Sequence, residues 1–552
     1  MEKRFLLAIV LSFLVLFVYQ AVVKGPSPDP APPAELKVGT QTEDPAEALP
    51  PPTVKTEEQP VETKQESVPV QPVSVEREQQ VVVETSLYRA VWSNQGGTLH
   101  SWTLKDHKDS EGLDLELINN QASELGLFPF SLGTEDIDFD KQINSGLYLP
   151  SRTQINLSDG EQGELRFIYA DDQGNRVQKT FIFEGGRYDF AVEVDVLKAG
   201  QPIQPRWVWG PSFGNPTADE QKVRYGGSQG IAVYPPDKVE RRDERKYDPD
   251  KGNAFNFVQW TAYENNYFAA IFITDPQKAS AAFLREELSS GPVFTLTVNH
   301  VQRAFVGPKN LDLLKAWGYN TKKIVKFGFF GVIAEILYTS IKAIHSVFPN
   351  WGFSIILLTI LVKILFFPLT YSSTKSMSKM QALQPKIKAL RAKYKKAKQD
   401  IDQRRKMNEE MMALYKKEGV NPAGGCLPLL IQLPIFWGFF RLLLVSVEFR
   451  QAPFMLWISD LSIKDPFYVT PILMGITQYI SQKMTPTSAD PTQQRMMLIM
   501  PVVMTIFFMN FQSGLVLYWL TNNVLQIGQQ YITNRITKKK KSESHGKRTK
   551  KQ

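Results

Sequence analysis

The sequence predicts an α-helical polytopic membrane protein, with six transmembrane helices of which five form a core, joined to a large antiparallel β-sandwich domain. Three observations indicate this fold class. Apolar runs of about 20 residues, long enough to cross a hydrocarbon layer of about 30 Å, are concentrated in the C-terminal third. Polar and apolar residues alternate through much of the N-terminal half, and a Pro-rich polar stretch separates that alternating region from an apolar N-terminus.

The first predicted element is a transmembrane signal anchor at residues 1–23. Lys3 and Arg4 precede an apolar run that continues to Val23. A cleavable signal peptide begins in the same way, but the run is long and no clean A-x-A cleavage site follows, so an uncleaved anchor is favoured. Because basic residues stay inside, the N-terminus is expected in the cytoplasm. Residues 24–80 are rich in Pro, Glu and Gln and predict a disordered linker.

Residues 81–315 predict the β-sandwich domain, because their pattern changes to period two. Such alternation, bounded by turn signals such as Gly174 and Gly185-Gly186, indicates antiparallel strands with one buried face. The clearest runs are ELRFIY at 164–169, RVQKTFIF at 176–183, YDFAVEVDV at 188–196 and VFTLTV at 293–298.

Residues 322–347 predict an amphipathic helix that lies in the membrane interface. Most faces of this segment are apolar, and its polar residues recur at spacings of 4, 3 and 4, as one helix side requires. They are Glu335, Thr339, Lys342 and Ser346.

The first span of the predicted five-helix core, residues 351–370, has a lysine in its interior. An ammonium at the centre of a membrane helix costs about 2.5 to 3.5 kcal/mol, so such a residue usually faces a polar cavity or reaches the interface along its aliphatic stem. Thr359 lies four residues before Lys363 and therefore on the same face. On this helix alone, both interpretations of Lys363 remain open.

The rest of the core, which extends over residues 351–535, alternates charged and apolar segments. Residues 375–418 hold fourteen Lys or Arg against five Asp or Glu and predict an amphipathic helical hairpin. Four further spans are predicted at residues 426–447, 467–482, 496–511 and 515–532, followed by a basic tail at 536–552. With six crossings, the hairpin, the tail and both termini fall in the cytoplasm, and the β-domain falls outside.

Several amides lie inside the predicted spans, where an unpaired amide costs about 1 to 3 kcal/mol. They could serve as contacts between helices, each contributing about 0.6 kcal/mol. That role does not explain Lys363, because the interiors of the five core spans contain no Asp or Glu. A water-filled recess open towards the cytoplasm is therefore favoured over snorkelling. The polar residues concerned are Gln432 and Gln478, and Trp519, Asn522, Asn523 and Gln526 on one face of the last span.

The sequence has no pattern typical of catalysis. There is no nucleophile motif, no Gly-rich phosphate loop and no set of His and Cys ligands, so we expect no catalytic residue, cofactor or metal. A secondary transporter or ion channel would also need broken helices and midplane polar groups, but the apolar segments show no repeated halves. An envelope scaffold is a third interpretation, for which six spans are excessive.

Four segments closely resemble the YidC family of membrane protein insertases. They are NWGFS at 350–354, LQPKI at 383–387, NPAGGCLPLLIQLPIF at 421–436 and SGLVLYW at 513–519. The anchor, linker and β-domain resemble the Gram-negative form of the family, in which the β-domain is periplasmic. The resemblance implies that the chain moves nascent transmembrane segments from the cytoplasm into the bacterial inner membrane, alone or with the Sec translocon, through a hydrophilic groove that is open to lipid.

The resemblance also implies site residues and partners. Lys363 occupies the position of a groove cation that is most often arginine in the family, with Thr359 and Trp519 on the groove wall. Phe436, Met474 and Phe507 would form an apolar slide for the substrate. The implied partners are nascent membrane proteins, the ribosome and the signal recognition particle pathway through the hairpin and tail, accessory Sec subunits at the β-domain, and membrane lipids. No specific nucleic-acid sequence is implied.

Overall fold

The structure is a computed structural model that describes residues 75–215, 229–288, 291–394, 400–419, 427–484 and 491–549. The predicted anchor and residues 24–74 of the predicted linker lie outside these residues. Within them, the chain forms a large, mainly antiparallel β-domain followed by a helical region, as the sequence predicts.

The described residues contain twenty strands in the β-domain. Period two in the sequence follows from one buried face: along β8, buried positions alternate with partly or fully exposed ones over most of the strand. The strands are β1 Gln80–Glu84, β2 Tyr88–Ser93, β3 Thr98–Lys108, β4 Asp114–Glu116, β5 Ser131–Gly133, β6 Leu149–Pro150, β7 Gln154–Asn156, β8 Gln162–Ala170, β9 Arg176–Glu184, β10 Asp189–Lys198, β11 Gln201–Ile203, β12 Arg206–Trp209, β13 Gly230–Tyr234, β14 Glu240–Asp243, β15 Ala254–Asn256, β16 Trp260–Glu264, β17 Phe268–Thr274, β18 Ser280–Leu288, β19 Gly291–Val298 and β20 Val301–Pro308.

These strands form three sheets within the described residues. One sheet has the order β4-β3-β2-β1-β7, a second the order β14-β13-β16-β17-β20-β10-β9-β8-β6 with β11 beside β10, and a third the order β15-β18-β19-β12-β5. Most pairs are antiparallel, as predicted, but β1 pairs with β7 in parallel. A short terminal strand reached through a long connection can add to an edge in either direction, which alternation alone does not specify.

Aromatic side chains join the three sheets into a sandwich. Trp92 on β2 lies 4.3 Å from Phe181 on β9, measured between ring centroids, and this contact links the first sheet to the second. Trp209 on β12 lies 5.8 Å from Phe272 on β17 and links the third sheet to the second. The ten-stranded sheet therefore packs against both smaller sheets around one aromatic core.

Eleven α-helices lie within the described residues. Two short ones belong to the β-domain, and the others follow its last strand. They are α1 Gln121–Leu125, α2 Ile137–Ser145, α3 Leu311–Trp317, α4 Gly331–His345, α5 Trp351–Ala382, α6 Gln384–Lys393, α7 Ile401–Lys417, α8 Leu427–Val445, α9 Val469–Met484, α10 Pro491–Phe508 and α11 Ser513–Thr549.

The helix α4 is shorter than the amphipathic helix predicted at 322–347. The first part of that segment is a 3₁₀ turn at Thr321–Ile324, followed by extended chain up to Phe330. Gly328 has a φ of +76°, which is incompatible with helical geometry and separates the turn from α4. One face of α4 is buried, and a Cβ at Gly438 of α8 would lie 2.9 Å from Ile333. The two helices therefore pack at close range.

Two core helices extend beyond the predicted spans. The helix α5 does not end at Thr370 but continues to Ala382, and α11 continues through the predicted tail to Thr549. Residues 371–382 are polar but contain neither Gly nor Pro, so the apolar run ends there while the helix does not. The predicted hairpin therefore begins within α5 instead of after a loop.

By length and composition, one helix of the described residues, Trp351–Met377, is apolar enough to cross a membrane, with a mean hydropathy of 2.3. Two shorter apolar helices are Gln432–Val445 and Leu498–Phe508. The count of six spans remains a prediction.

The described residues of the hairpin, 375–394 and 400–418, belong to a different compact unit from the β-domain. Leu383 and Ile387 are buried there against Met411 and Leu414. Lys393 pairs with Glu410 at 2.7 Å and Lys386 with Glu418 at 2.6 Å, so α6 and α7 run antiparallel.

The β-domain contacts the loop that follows α8 through the end of β3. The Arg450 guanidinium donates to the carbonyl of Lys108 at 2.9 Å, and the Gln451 amide donates to the carbonyl of Asp109 at 3.0 Å. His107 lies beside this contact, with its ring 5.2 Å from the Phe268 ring. Burial, followed by the Arg450 cation, lowers the pKa of His107 from 6.5 to about 4.

This shift predicts that the β-domain loses stability in mild acid. The unfolded chain takes up a proton at His107 below about pH 6.5, whereas the folded protein does so only near pH 4, so stability falls between these values. The loss should reach about 3 kcal/mol at most. The measurement is the unfolding free energy of the full chain at pH 7 and pH 4.5. His107→Phe should show a smaller difference between the two, and an unchanged difference would contradict the assignment.

Candidate functional site

A recess lies between the helices α5, α8 and α11. Its cavity is small, about 20 Å³, which is room for about one water molecule. Its wall combines apolar side chains with hydroxyl, amide and ammonium groups, an unusual mixture inside a helix bundle. The lining residues are Thr359, Val362, Lys363, Phe366, Thr370, Gln432, Ile435, Tyr518 and Asn522.

Lys363 is half-buried and lines this recess. Its Nζ donates to Oε1 of Gln526 on α11 at 2.9 Å, and its side chain lines the recess. No ion pair found among the described residues includes Lys363. The cation is therefore held by a neutral amide, which leaves it available to an incoming anion.

Thr359 lies one turn before Lys363 on the same face of α5. It is buried, and its hydroxyl donates to the carbonyl of Ile355 at 2.7 Å. The hydroxyl proton is thus used within the helix, and only the oxygen lone pairs remain for the recess.

The polar surface continues past Lys363 along α5 and α11. Gln529 donates to the Thr370 hydroxyl at 2.7 Å, and both side chains are buried. The prediction did not include this pair. Thr370 is seven residues after Lys363, and Gln529 is three after Gln526, so extending the helical spacing would have found both.

Gln432 on α8 also faces the recess, where its amide donates to the hydroxyl of Tyr518 on α11. Tyr518 was not predicted as a site residue. It lies four residues before Asn522, so the same periodicity argument applies to it.

Two predicted wall residues of α11 face α9 instead of the recess, and a third, Gln478, lies on α9 itself. Asn523 donates to the carbonyl of Met474 at 3.2 Å, and Trp519 donates to Gln478 at 3.3 Å. Adjacent helical positions differ by about 100°, so Asn522 and Asn523 cannot share one environment. Asn523, Trp519 and Gln478 therefore serve as contacts between helices, which is the alternative role that the sequence analysis considered for these polar residues.

The predicted apolar slide is placed only in part at an accessible surface. Phe436 and Phe507 are half-buried, and the ring of Phe436 lies 5.1 Å from that of Trp519. Met474 is fully buried under α11, so it cannot contact a segment in lipid in this conformation. The prediction for Met474 is therefore corrected: its carbonyl and side chain serve the contact between α9 and α11.

The bundle is mainly apolar at the end that leads to the loop after α8. Fully or almost fully buried apolar side chains fill most of that end, beside the buried hydroxyls of Ser354, Ser446 and Ser513. The apolar side chains are those of Ile355, Leu358, Phe439, Leu442, Leu443, Leu515 and Val516.

Asp465 stabilises the loop that covers this apolar end of the bundle. Its carboxylate accepts from the Thr470 amide and hydroxyl at 2.7 Å each, from the Phe467 amide at 3.0 Å and from the Trp457 indole at 3.1 Å. Beside it, the Ser513 amide donates to the carbonyl of Ile463 at 2.7 Å. The loop, the start of α9 and the start of α11 are thereby joined.

Asp465→Ala should lower the unfolding free energy by about 3 kcal/mol, because four donors to a buried carboxylate lose their acceptor. Asp465→Asn keeps part of the acceptor capacity and should cost about half as much. Thermal unfolding of the purified full chain measures both. Equal stability of the Ala variant and the wild type would show that the loop does not depend on this carboxylate.

Comparisons with known proteins identify the family of this chain. Residues 80–340 match the family described as YidC periplasmic domain, and residues 343–541 match the family described as 60Kd inner membrane protein. The membrane protein insertase YidC of Syntrophus aciditrophicus is 36% identical over 97% of this chain and 100% of its own length. The chain belongs to the YidC family of membrane protein insertases.

Other YidC proteins are also similar to this chain. The insertase YidC of Geobacter sulfurreducens is 36% identical over 97% of this chain and 98% of its own length. A crystal structure of an active YidC insertase is 20% identical and covers 84% of this chain and 95% of its own, with a TM-score of 0.36. Because the YidC relatives align from end to end, the β-domain and the helical core are both family features. The alternative of a transporter or channel finds no support.

Proposed function

We propose that this YidC protein inserts nascent membrane proteins into the inner membrane by receiving their polar flanks in the recess around Lys363. The observation that carries the proposal is the bond between the Lys363 ammonium and the neutral Gln526 amide. A cation without a counter-ion is costly inside a membrane, so a charged residue in such a position usually has a function.

The recess shortens the distance that a polar flank travels through hydrocarbon. Hydroxyl and amide groups offer partial hydration, and Lys363 attracts an acidic flank. The buried apolar side chains at the end of the bundle near the loop after α8 would keep ions from leaking through. No ATP motif is needed, because each Leu, Ile or Phe that reaches the bilayer centre returns about 0.3 to 0.6 kcal/mol. A negatively charged flank moving outward gains about 2.3 kcal/mol per 100 mV.

The transmembrane segment of the substrate would leave along the apolar surface beside the recess. Phe436 and Phe507 contribute to that surface, and both are half-buried. The exposed apolar side chains on the outer faces of α5 and α10, such as Leu365 and Ile506, are compatible with lipid contact.

The same proposal extends to topology and partners. Six spans would place both termini, the hairpin and the tail in the cytoplasm, and the β-domain in the periplasm. The basic hairpin would engage the ribosome or the signal recognition particle pathway, since its lysines outnumber its carboxylates. The β-domain would contact accessory subunits of the Sec translocon. The recess is compatible both with insertion by this protein alone and with insertion together with the Sec translocon.

The test is site-specific photocrosslinking from two adjacent phenylalanines of α5. Phe366 lines the recess, whereas Phe367 is 43% exposed and is not among the lining residues. A benzoyl-phenylalanine at either position is close to the natural side chain in shape, so both variants should fold. The substrate is a ribosome-bound nascent chain with one transmembrane segment and an acidic N-terminal flank.

We expect the probe at 366 to label the polar flank and the probe at 367 not to label it. A transporter or a scaffold would show no labelling of the flank at either position. Labelling of the flank from 367 but not from 366 would place the path outside the recess and contradict the proposal.

A further inference from the structure

A cluster of lysines lies between the β-domain and α4. Residues 309–326 contain five lysines and one aspartate. Two of the lysines are paired: Lys309 with Glu264 at 2.8 Å, and Lys315 with Glu335 at 2.8 Å. The other three, Lys322, Lys323 and Lys326, are exposed. Neither Lys322 nor Lys323 forms an ion pair with any residue that the structure describes.

The turn that carries these lysines is held rigidly. The Thr321 hydroxyl is buried and donates to the carbonyl of Leu314 at 2.8 Å. The Arg241 guanidinium donates to the carbonyl of Ile324 at 2.8 Å, and Lys323 lies over the Tyr234 ring at 4.4 Å from its centroid. The backbone of the turn and the Lys323 side chain are therefore held in place, so little of their entropy is lost when a ligand binds.

An exposed apolar surface begins three residues beyond Lys326. Phe329, in the turn before α4, is 91% exposed. Val332 and Ile336 on α4 are 75% and 60% exposed, and their spacing of four residues puts them on one side of the helix. Three residues of chain span at most about 10 Å. That distance matches the depth at which the apolar face of an interfacial helix is buried below the headgroups.

The position of these charges is unusual for a membrane protein. Lysines next to membrane spans favour the cytoplasmic side, yet this cluster is continuous with the periplasmic β-domain. The five lysines outnumber the carboxylates beside them: Glu264 pairs with Lys309, and Glu335 pairs with Lys315 and also interacts with Lys322. A compensating negative charge should therefore come from outside the chain.

We propose that Lys322 and Lys323 bind the headgroup of an anionic phospholipid in the periplasmic leaflet, with Phe329 inserted at the acyl boundary below it. A phosphate diester above an acyl chain combines the anion and the apolar surface that this arrangement requires. The site is separate from the recess around Lys363 and does not depend on the proposed function.

The experiment uses the full chain in nanodiscs with a fluorophore at position 329. A Phe329→Cys, Cys426→Ala variant carries the label, because Cys426 is the single natural cysteine. The discs contain phosphatidylcholine with 10 mol% of spin-labelled lipid, either phosphatidylglycerol or phosphatidylcholine. Quenching reports which lipid lies next to the probe.

We expect phosphatidylglycerol to be enriched about fivefold or more near the probe, since each lysine close to a membrane surface contributes about a factor of five. Adding Lys322→Gln and Lys323→Gln should bring the two lipids to equal quenching. The matched control changes two exposed lysines elsewhere in the β-domain, Lys141→Gln and Lys278→Gln, and should leave the preference intact.

Equal quenching by the two lipids in the parent variant would overturn the proposal. So would a preference that survives Lys322→Gln and Lys323→Gln, or one that the control substitutions remove. Because Lys323 also contacts Tyr234, the single change Lys322→Gln leaves that contact in place and should remove part of the preference, by about the factor of five that one lysine contributes.

Discussion

Lys363→Met is expected to reduce insertion of substrates with an acidic flank by about 10- to 100-fold. One ion pair at about 4 Å in a partly shielded site contributes up to about 4 kcal/mol, and methionine removes it while filling similar space. Lys363→Arg keeps the charge and should stay within about threefold of the wild type. Protease protection of substrates in proteoliposomes containing the purified protein measures the effect.

Substrates with a neutral flank provide the internal control, because they should lose less than about threefold with Lys363→Met. Lys375→Met, on the exposed part of the same helix, controls for the loss of a lysine as such. The folded protein should be as stable with methionine as with lysine, since an ammonium without a counter-ion is removed from the membrane. Equal insertion of acidic and neutral substrates by Lys363→Met would contradict the role assigned to the charge.

Glu264→Gln is expected to lower the stability of the β-domain by about 3 to 5 kcal/mol. Its carboxylate pairs with buried Lys309 at 2.8 Å and with Arg241 at 2.9 Å. Burial alone would raise the pKa of Glu264, but these two cations hold it below its usual value. Removing the carboxylate leaves Lys309 buried without a counter-charge, which is the costly way to break such a pair.

Denaturant unfolding of the full chain, followed by the tryptophan fluorescence of the β-domain, measures this loss. Glu240→Gln is the matched control, because Glu240 pairs with Arg242 at 3.3 Å on the surface and should contribute less than about 1 kcal/mol. A Glu264 variant no less stable than the Glu240 variant would show that the buried network is dispensable.

The β-domain was predictable because its pattern is simple. In β8 and β9, alternation follows directly from one buried face, so the runs at 164–169 and 176–183 could be assigned as strands. The order of the strands in the three sheets could not be predicted from this pattern. It depends on which distant edges meet, and the parallel pair of β1 and β7 joins residues some 70 positions apart.

Helix ends were less predictable than helices. The end of the apolar run at Thr370 was taken as the end of a helix, whereas α5 continues to Ala382. Hydropathy reports where the hydrocarbon ends, and propensity and capping decide where the helix ends. The short α4 shows the converse, since Gly328 interrupts an apolar segment that reads as continuous.

In the candidate site, helical spacing was enough to group the residues of one helix face. Thr359, Lys363 and Asn522 all line the recess, and Gln526 binds Lys363. Spacing was not enough for Asn523 and Met474, which face a neighbouring helix. The roles of these residues in insertion stay predictions. Which of two adjacent amides turns to the recess depends on how α9 packs on α11, and no periodicity within one helix contains that information.

The uninterrupted course of α11 has a mechanical consequence. Its 37 residues measure about 55 Å, against about 30 Å of hydrocarbon, so a stiff rod of roughly 25 Å projects beyond the bilayer. Gln526 belongs to that same helix, so an axial shift of its C-terminal end would carry along the amide that holds Lys363. If docking at that end favours such a shift, we expect docking and ligand binding near Lys363 to change each other's affinity by the same factor.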